Sequence, residues 1–92
     1  MKRYFQRHPD MGSRTLDDAM VIFNPHTGVV YELNVVGTQV WELLNQRQTV
    51  EDIVSGICEE FWASSEEVTN DVREFLSTLI DKGLVICNSE EK

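Results

Sequence analysis

The chain has 92 residues, a formal net charge of −8, 41% hydrophobic residues and 26% charged ones. That is material for one domain with a small core and leaves no room for a second. The acid excess opposes binding to phosphate backbones, and no apolar run approaches the ~20 residues that a bilayer crossing needs.

The charge is uneven. Lys2, Arg3, Arg7 and Arg14 all fall in the first fourteen positions, and the remainder is strongly acidic. The basic start has no apolar stretch behind it, so it does not read as a secretory signal, and the expected compartment is the cytoplasm. His8-Pro9-Asp10 and Gly12-Ser13 are loop chemistry. Residues 1–13 are therefore expected to be a flexible N-terminal segment, with room for a short strand near Tyr4–Gln6 or Arg14–Leu16.

Ala19 to Phe23 is an apolar run of strand length. Asn24-Pro25-His26-Thr27-Gly28 follows as a turn, because Pro25 presets φ and Gly28 accepts a positive φ. Val29 to Leu33 then returns antiparallel, rich in β-forming residues. The pair predicts a β-hairpin over 19–33. The second strand holds neither Pro nor Lys, so at a sheet edge it is poorly protected against pairing with another chain. A pairable edge is one way to hold a peptide.

Asn34 ends that strand and is placed to cap a helix, since its side-chain oxygen can accept a free first-turn amide. Val36, Val40, Leu43 and Leu44 recur at helical spacing, with Trp41 beside them, and predict a helix over about 35–45. Thr49 caps a second helix, about 50–62, with Glu51 and Asp52 where negative charge suits the helix dipole. Its apolar positions are Val50, Ile53, Val54, Ile57, Cys58 and Phe61. Ser64 and Glu67 have capping-box spacing at the head of a third helix, about 66–82. Its stripe is Val68, Val72, Phe75, Leu76, Leu79 and Ile80, and Gly83 is placed to end it. Leu84 to Cys87 is a short apolar segment of strand character, and 88–92 reads as a disordered polar tail.

Together these elements predict an α+β winged helix-turn-helix: an N-terminal β-hairpin or three-stranded sheet packed on a three-helix cluster, over residues 14–87. The expected aromatic core is Phe23, Tyr31, Trp41, Phe61, Trp62 and Phe75. Cys58 and Cys87 belong to no Cys-x-x-Cys pair and read as buried free thiols rather than a disulfide.

Chemistry is thin. The five glycines are dispersed and form no phosphate-binding loop. His8 and His26 lie in a tail and a turn, where solvated rings are the ordinary case. Glu59, Glu60, Glu66, Glu67 and Asp71 read as a solvated acidic face, since an acid/base pair needs a cleft that a small core hardly permits. An enzyme is not expected, nor a metal or cofactor.

Several segments, in order, resemble the PqqD-like family. They are Pro25-His26-Thr27-Gly28-Val29-Val30-Tyr31-Glu32-Leu33-Asn34, Val36-Gly37, Val40-Trp41-Glu42-Leu43-Leu44, Thr49-Val50-Glu51-Asp52-Ile53, Asp71-Val72-Arg73-Glu74-Phe75-Leu76 and Lys82-Gly83-Leu84-Val85. The likeness covers about residues 16–86. It implies a non-catalytic domain that captures the leader of a ribosomally made precursor peptide and presents it to a modifying enzyme. Such an enzyme would be a radical SAM enzyme, a cyclase or a leader protease. The resemblance also implies that the leader adds as a strand in a groove against the third helix. On this chain the contact candidates become Val29, Val30, Tyr31, Glu32 and Leu33 on the strand, with Val68, Asp71, Val72, Phe75, Leu76 and Leu79 on the helix. Within that helix, Val72, Phe75, Leu76 and Leu79 also have a plain reading as core. The expected state is a monomer or weak dimer, with neither nucleic acid nor membrane as partner.

Two other readings share the fold. A winged-helix DNA-binding regulator would use the third helix, which sets Glu66, Glu67, Asp71, Glu74 and Asp81 against Arg73 and Lys82. That balance opposes entry into a major groove. An adaptor that binds only an enzyme partner is compatible with the acidic helix faces.

Overall fold

The computed structural model describes residues 2–17, 19–61 and 63–90. In chain order the elements are β1 (Lys2–Arg7), β2 (Gly12–Leu16), β3 (Ala19–Asn24), β4 (Val29–Leu33), α1 (Val35–Leu43), α2 (Val50–Glu60), α3 (Ser65–Asp81) and β5 (Val85–Glu90). The architecture is an α+β winged helix-turn-helix. A three-stranded antiparallel sheet, ordered β2-β3-β4, packs on the helices, and a second sheet joins β1 to β5. Among the described residues, no helix is long and apolar enough to cross a membrane.

Local chemistry sets the helix ends. Asn34 Oδ1 accepts the Gly37 amide at 2.7 Å. Thr49 and Asp52 form a reciprocal capping box, each side chain accepting the other's backbone N–H at 3.1 Å. Ser64 Oγ accepts the Glu67 amide at 3.3 Å. At the far end of α3, Gly83 stands at φ 77°, its N–H bonds the Ile80 carbonyl, and the Leu84 N–H reaches the Leu79 carbonyl at 2.9 Å. That is a Schellman cap, with the required left-handed residue supplied by glycine. Gly28, at φ 76°, closes the β3–β4 turn in the same way, its N–H bonding the Asn24 carbonyl at 2.7 Å.

The chain ends differ from the expectation of a flexible 1–13 and a disordered 88–92. Lys2 to Arg7 pair antiparallel with Val85 to Glu90, and β2 begins at Gly12; residues 91 and 92 lie outside the described part. The reason is tertiary. Phe5 is buried in the core, and its N–H and C=O bond the Gln48 backbone at 2.8 and 2.9 Å. The Arg7 amide bonds the Leu44 carbonyl at 3.1 Å and the His8 amide bonds that of Leu84 at 2.9 Å. β1 thus lies between β5 and the α1–α2 connection, and its hydrogen bonds go to segments distant in sequence.

The core gathers Phe5, Met20, Ile22, Leu33, Val40, Trp41, Leu44, Ile53, Ile57, Val72, Leu76, Leu79 and Leu84. Trp41 is fully buried, as its place on the α1 stripe predicts. Arg7 covers it: the guanidinium carbon stands 5.0 Å from the ring centroid, and Nε donates to the Trp41 carbonyl at 2.9 Å. Burial pushes the Arg7 guanidinium below its ordinary pKa, with the Glu42 carboxylate opposing. Phe23 corrects the expected core, for it is 44% exposed. In the β3 register Met20, Ile22 and Asn24 take the inner face, so Phe23 points outward with Val30 opposite it. Tyr31, Phe61 and Phe75 are half-buried, and Trp62 lies outside the described residues. Cys58 and Cys87 are free thiols, half-buried rather than buried.

Candidate peptide-binding groove

β4 is an edge strand. Its one partner in the sheet is β3, which leaves the opposite edge unpaired among the described strands. Beside it lies a groove of about 590 Å³ between the end of β4, the start of α1, the end of α2 and the outer face of α3. Lys82, the C-cap of α3, reaches the strand, with its Nζ 5.2 Å from the Tyr31 ring centroid. At this range the ammonium is attracted by the ring's negative face.

Val40, Ile57, Val68 and Val72 form an apolar floor, and the half-buried Phe61 and Phe75 stand on it. Val36, exposed in the first turn of α1, adds an apolar rim. Gly37 lets α1 and α3 approach: a Cβ there would stand 3.2 Å from Phe75 Cζ. Glu32, Asn34, Asp71, Glu74 and Thr78 supply the polar lining.

Of the sequence-derived contact candidates, Glu32, Val68, Asp71, Val72 and Phe75 line this groove. Leu76 and Leu79 are not among its lining residues; each is 2% exposed and part of the core. They pack α3 against the core, and Leu76 borders a second cavity on the other side of α3. Val29 and Val30 are exposed at the turn end of β4, Tyr31 is half-buried and Leu33 is buried. Their side chains do not line the cavity; what they offer is the backbone of the free edge. The lining made by Val36, Gly37, Val40, Ile57, Phe61 and Ala63 is not among the contact candidates read from the sequence. Its one legible signal was an apolar Val36 beside a glycine in the first turn of a helix. Among the described residues, no group of three His, Cys, Asp or Glu could hold a metal ion.

A free β-edge is a place where an extended peptide can add as a further strand, and here it stands alongside an amphipathic helix. The family model described as Coenzyme PQQ synthesis protein D (PqqD) matches residues 19–85, and the chain belongs to that family. Its fold is similar to that of TbiB1, solved in complex with the TbiA(beta) leader peptide, at 30% identity and a TM-score of 0.82, covering 94% of this chain and 99% of that one. It is also similar to lasso peptide synthetase B1 complexed with the leader peptide, at 17% identity and a TM-score of 0.79, covering 89% and 96%. A third likeness is to the PqqD truncation of Methylobacterium extorquens PqqCD, a stand-alone RiPP recognition element in solution, at 18% identity and a TM-score of 0.76, covering 90% and 88%. No curated protein matches the sequence.

Proposed function

We propose that this chain captures the leader of a ribosomally made precursor peptide by strand addition to the free edge of β4. The peptide would lay its apolar side chains into the groove against α3. The observation that carries this reading is the coincidence of an unpaired edge and an apolar-floored groove on the same side of the domain. The edge offers sequence-tolerant hydrogen bonds, and the groove offers side-chain selection. The 30% identical neighbour, solved with a leader peptide bound, supports it.

In this reading the domain makes and breaks no bonds. It presents the leader to a modifying enzyme, such as a radical SAM enzyme, a cyclase or a leader protease, and meets its freshly translated ligand in the cytoplasm. Contacts are assigned to the β4 backbone from Val29 to Leu33 and to Glu32, Val68, Asp71, Val72 and Phe75. Ordering a flexible leader is costly, so a few anchors must carry the net affinity.

The test is a calorimetric titration with the cognate leader peptide, combined with NMR amide shifts. Proline has no amide hydrogen for an added strand. Alternate amides of β4 face the free edge and β3, so Val30→Pro and Tyr31→Pro are made as a pair. One should abolish binding with the helical signal nearly intact, and the other should damage the hairpin. Shifts confined to α2 or β1, with 29–33 and 65–81 silent, would refute the assignment.

A further inference from the structure

The groove has a sign. Its lining contains three carboxylates, Glu32, Asp71 and Glu74, and no Lys, Arg or His among the described residues. The chain's overall excess of acid does not account for this. On the other side of α3, a cavity of about 720 Å³ balances Lys2, Arg3 and Arg73 against Glu51, Asp52 and Asp81. Neither of the two cations near the groove is among its lining residues. Arg73 belongs to that second cavity, and Lys82 lies over Tyr31. Among the described residues none of the three carboxylates is in an ion pair; the pair found there joins His26 and Asp10.

Asp71 and Glu74 are three residues apart on one helix, a rise of about 4.5 Å. Side chains on one face of a strand recur about every 6.7 Å. One side chain of an added strand can therefore address both helix carboxylates. Its neighbour two residues away would reach the apolar floor at Val72 and Phe75. Glu32 flanks the same space from the strand that the peptide would join.

Resting on the groove's role as the leader site, we infer that it selects a cationic segment: a Lys or Arg facing Asp71 and Glu74, with an apolar anchor two residues away. Glu32, Asp71 and Glu74 are then the residues that determine specificity. The apolar floor supplies affinity for any suitable strand, and the carboxylates reject acidic ones, whose like charge would meet three carboxylates with no ion-pair partner among the described residues.

The experiment selects a phage-displayed library of random 16-residue peptides on the full chain and on the Glu32→Gln/Asp71→Asn/Glu74→Gln variant. All three positions are exposed, so the variant should keep the native circular dichroism and melting behaviour. The full chain should enrich Lys and Arg at least twofold over the input, next to apolar residues. The variant should keep the apolar enrichment and lose the basic one. A synthetic winner should bind the variant about tenfold more weakly, the usual scale for losing a few exposed charge pairs, and with less salt dependence. Winners that shift groove amides by NMR but show no excess of Lys or Arg would overturn the inference and leave the groove reading standing. Winners that shift another surface, or no winners at all, would overturn the groove reading itself.

Discussion

Replacing Trp41 by alanine tests the packing on which the groove depends. Trp41 is 0% exposed, so the mutation removes an aromatic that buries about 200 Å². At ~25 cal/mol per Å², that burial is worth about 5 kcal/mol. One structural detail lowers the figure. The indole Nε1 is buried without a hydrogen-bond partner among the described residues, an arrangement that costs about 1–3 kcal/mol and disappears with the ring. Two effects raise it again. A cavity is left behind, and Arg7 loses the ring beneath it, worth about 0.5–2 kcal/mol. The net expectation is about 3–5 kcal/mol, the range measured for deleting buried aromatics. A chain of 92 residues holds only about 5–14 kcal/mol in all, so the variant should be near the edge of folding. Urea titration followed by circular dichroism, with the slope checked for constancy, measures the change. A loss below about 1 kcal/mol would refute the reasoning, since surface substitutions are of that size. Trp41→Phe provides the control. It keeps most of the ring while removing the unpartnered N–H, and should cost clearly less than the alanine.

Three further outcomes follow from the same geometry. Phe5→Ala should destabilise the domain by about 3–5 kcal/mol in the same titration, because Phe5 is a core residue; an irregular N-terminus would make the change negligible. Asn34→Ala should cost about 1 kcal/mol through loss of the α1 cap at the mouth of the groove, whereas Asn34→Ser should restore most of it. Duplex DNA should show no tight binding at about 0.15 M salt in a mobility-shift assay, since α3 presents Glu66, Glu67, Asp71, Glu74 and Asp81 against Arg73. Tight, salt-sensitive binding to a defined duplex would contradict that charge argument.

Much of this molecule is written in short stretches of sequence. Asn34, Thr49 and Ser64 each satisfy an amide three residues on, and Gly83 ends α3, so helix starts and ends follow from contacts within a turn. The hairpin is legible for the same reason: its turn bonds close over four residues. The order of these segments also carried the likeness to the PqqD family. What no local pattern contains is the pairing of β1 with β5, about eighty residues apart. Lys2 to Arg7 is a polar run with a single buried phenylalanine. It becomes a strand only because the Gln48 backbone and β5 complete its hydrogen bonds. The facing of Phe23 was likewise decided by register, as one step along an apolar strand moves a side chain from core to solvent. The groove has the same origin. Residue periodicity placed Val68, Asp71, Val72 and Phe75 on one helix, but it could not separate the margin of the stripe from its centre, where Leu76 and Leu79 are sealed. Nor could it bring Val36, Phe61 and Glu32 to that helix from three other parts of the chain. Caps and periods act over a few residues and are readable one residue at a time; a groove is the space left between elements, and only their packing determines it.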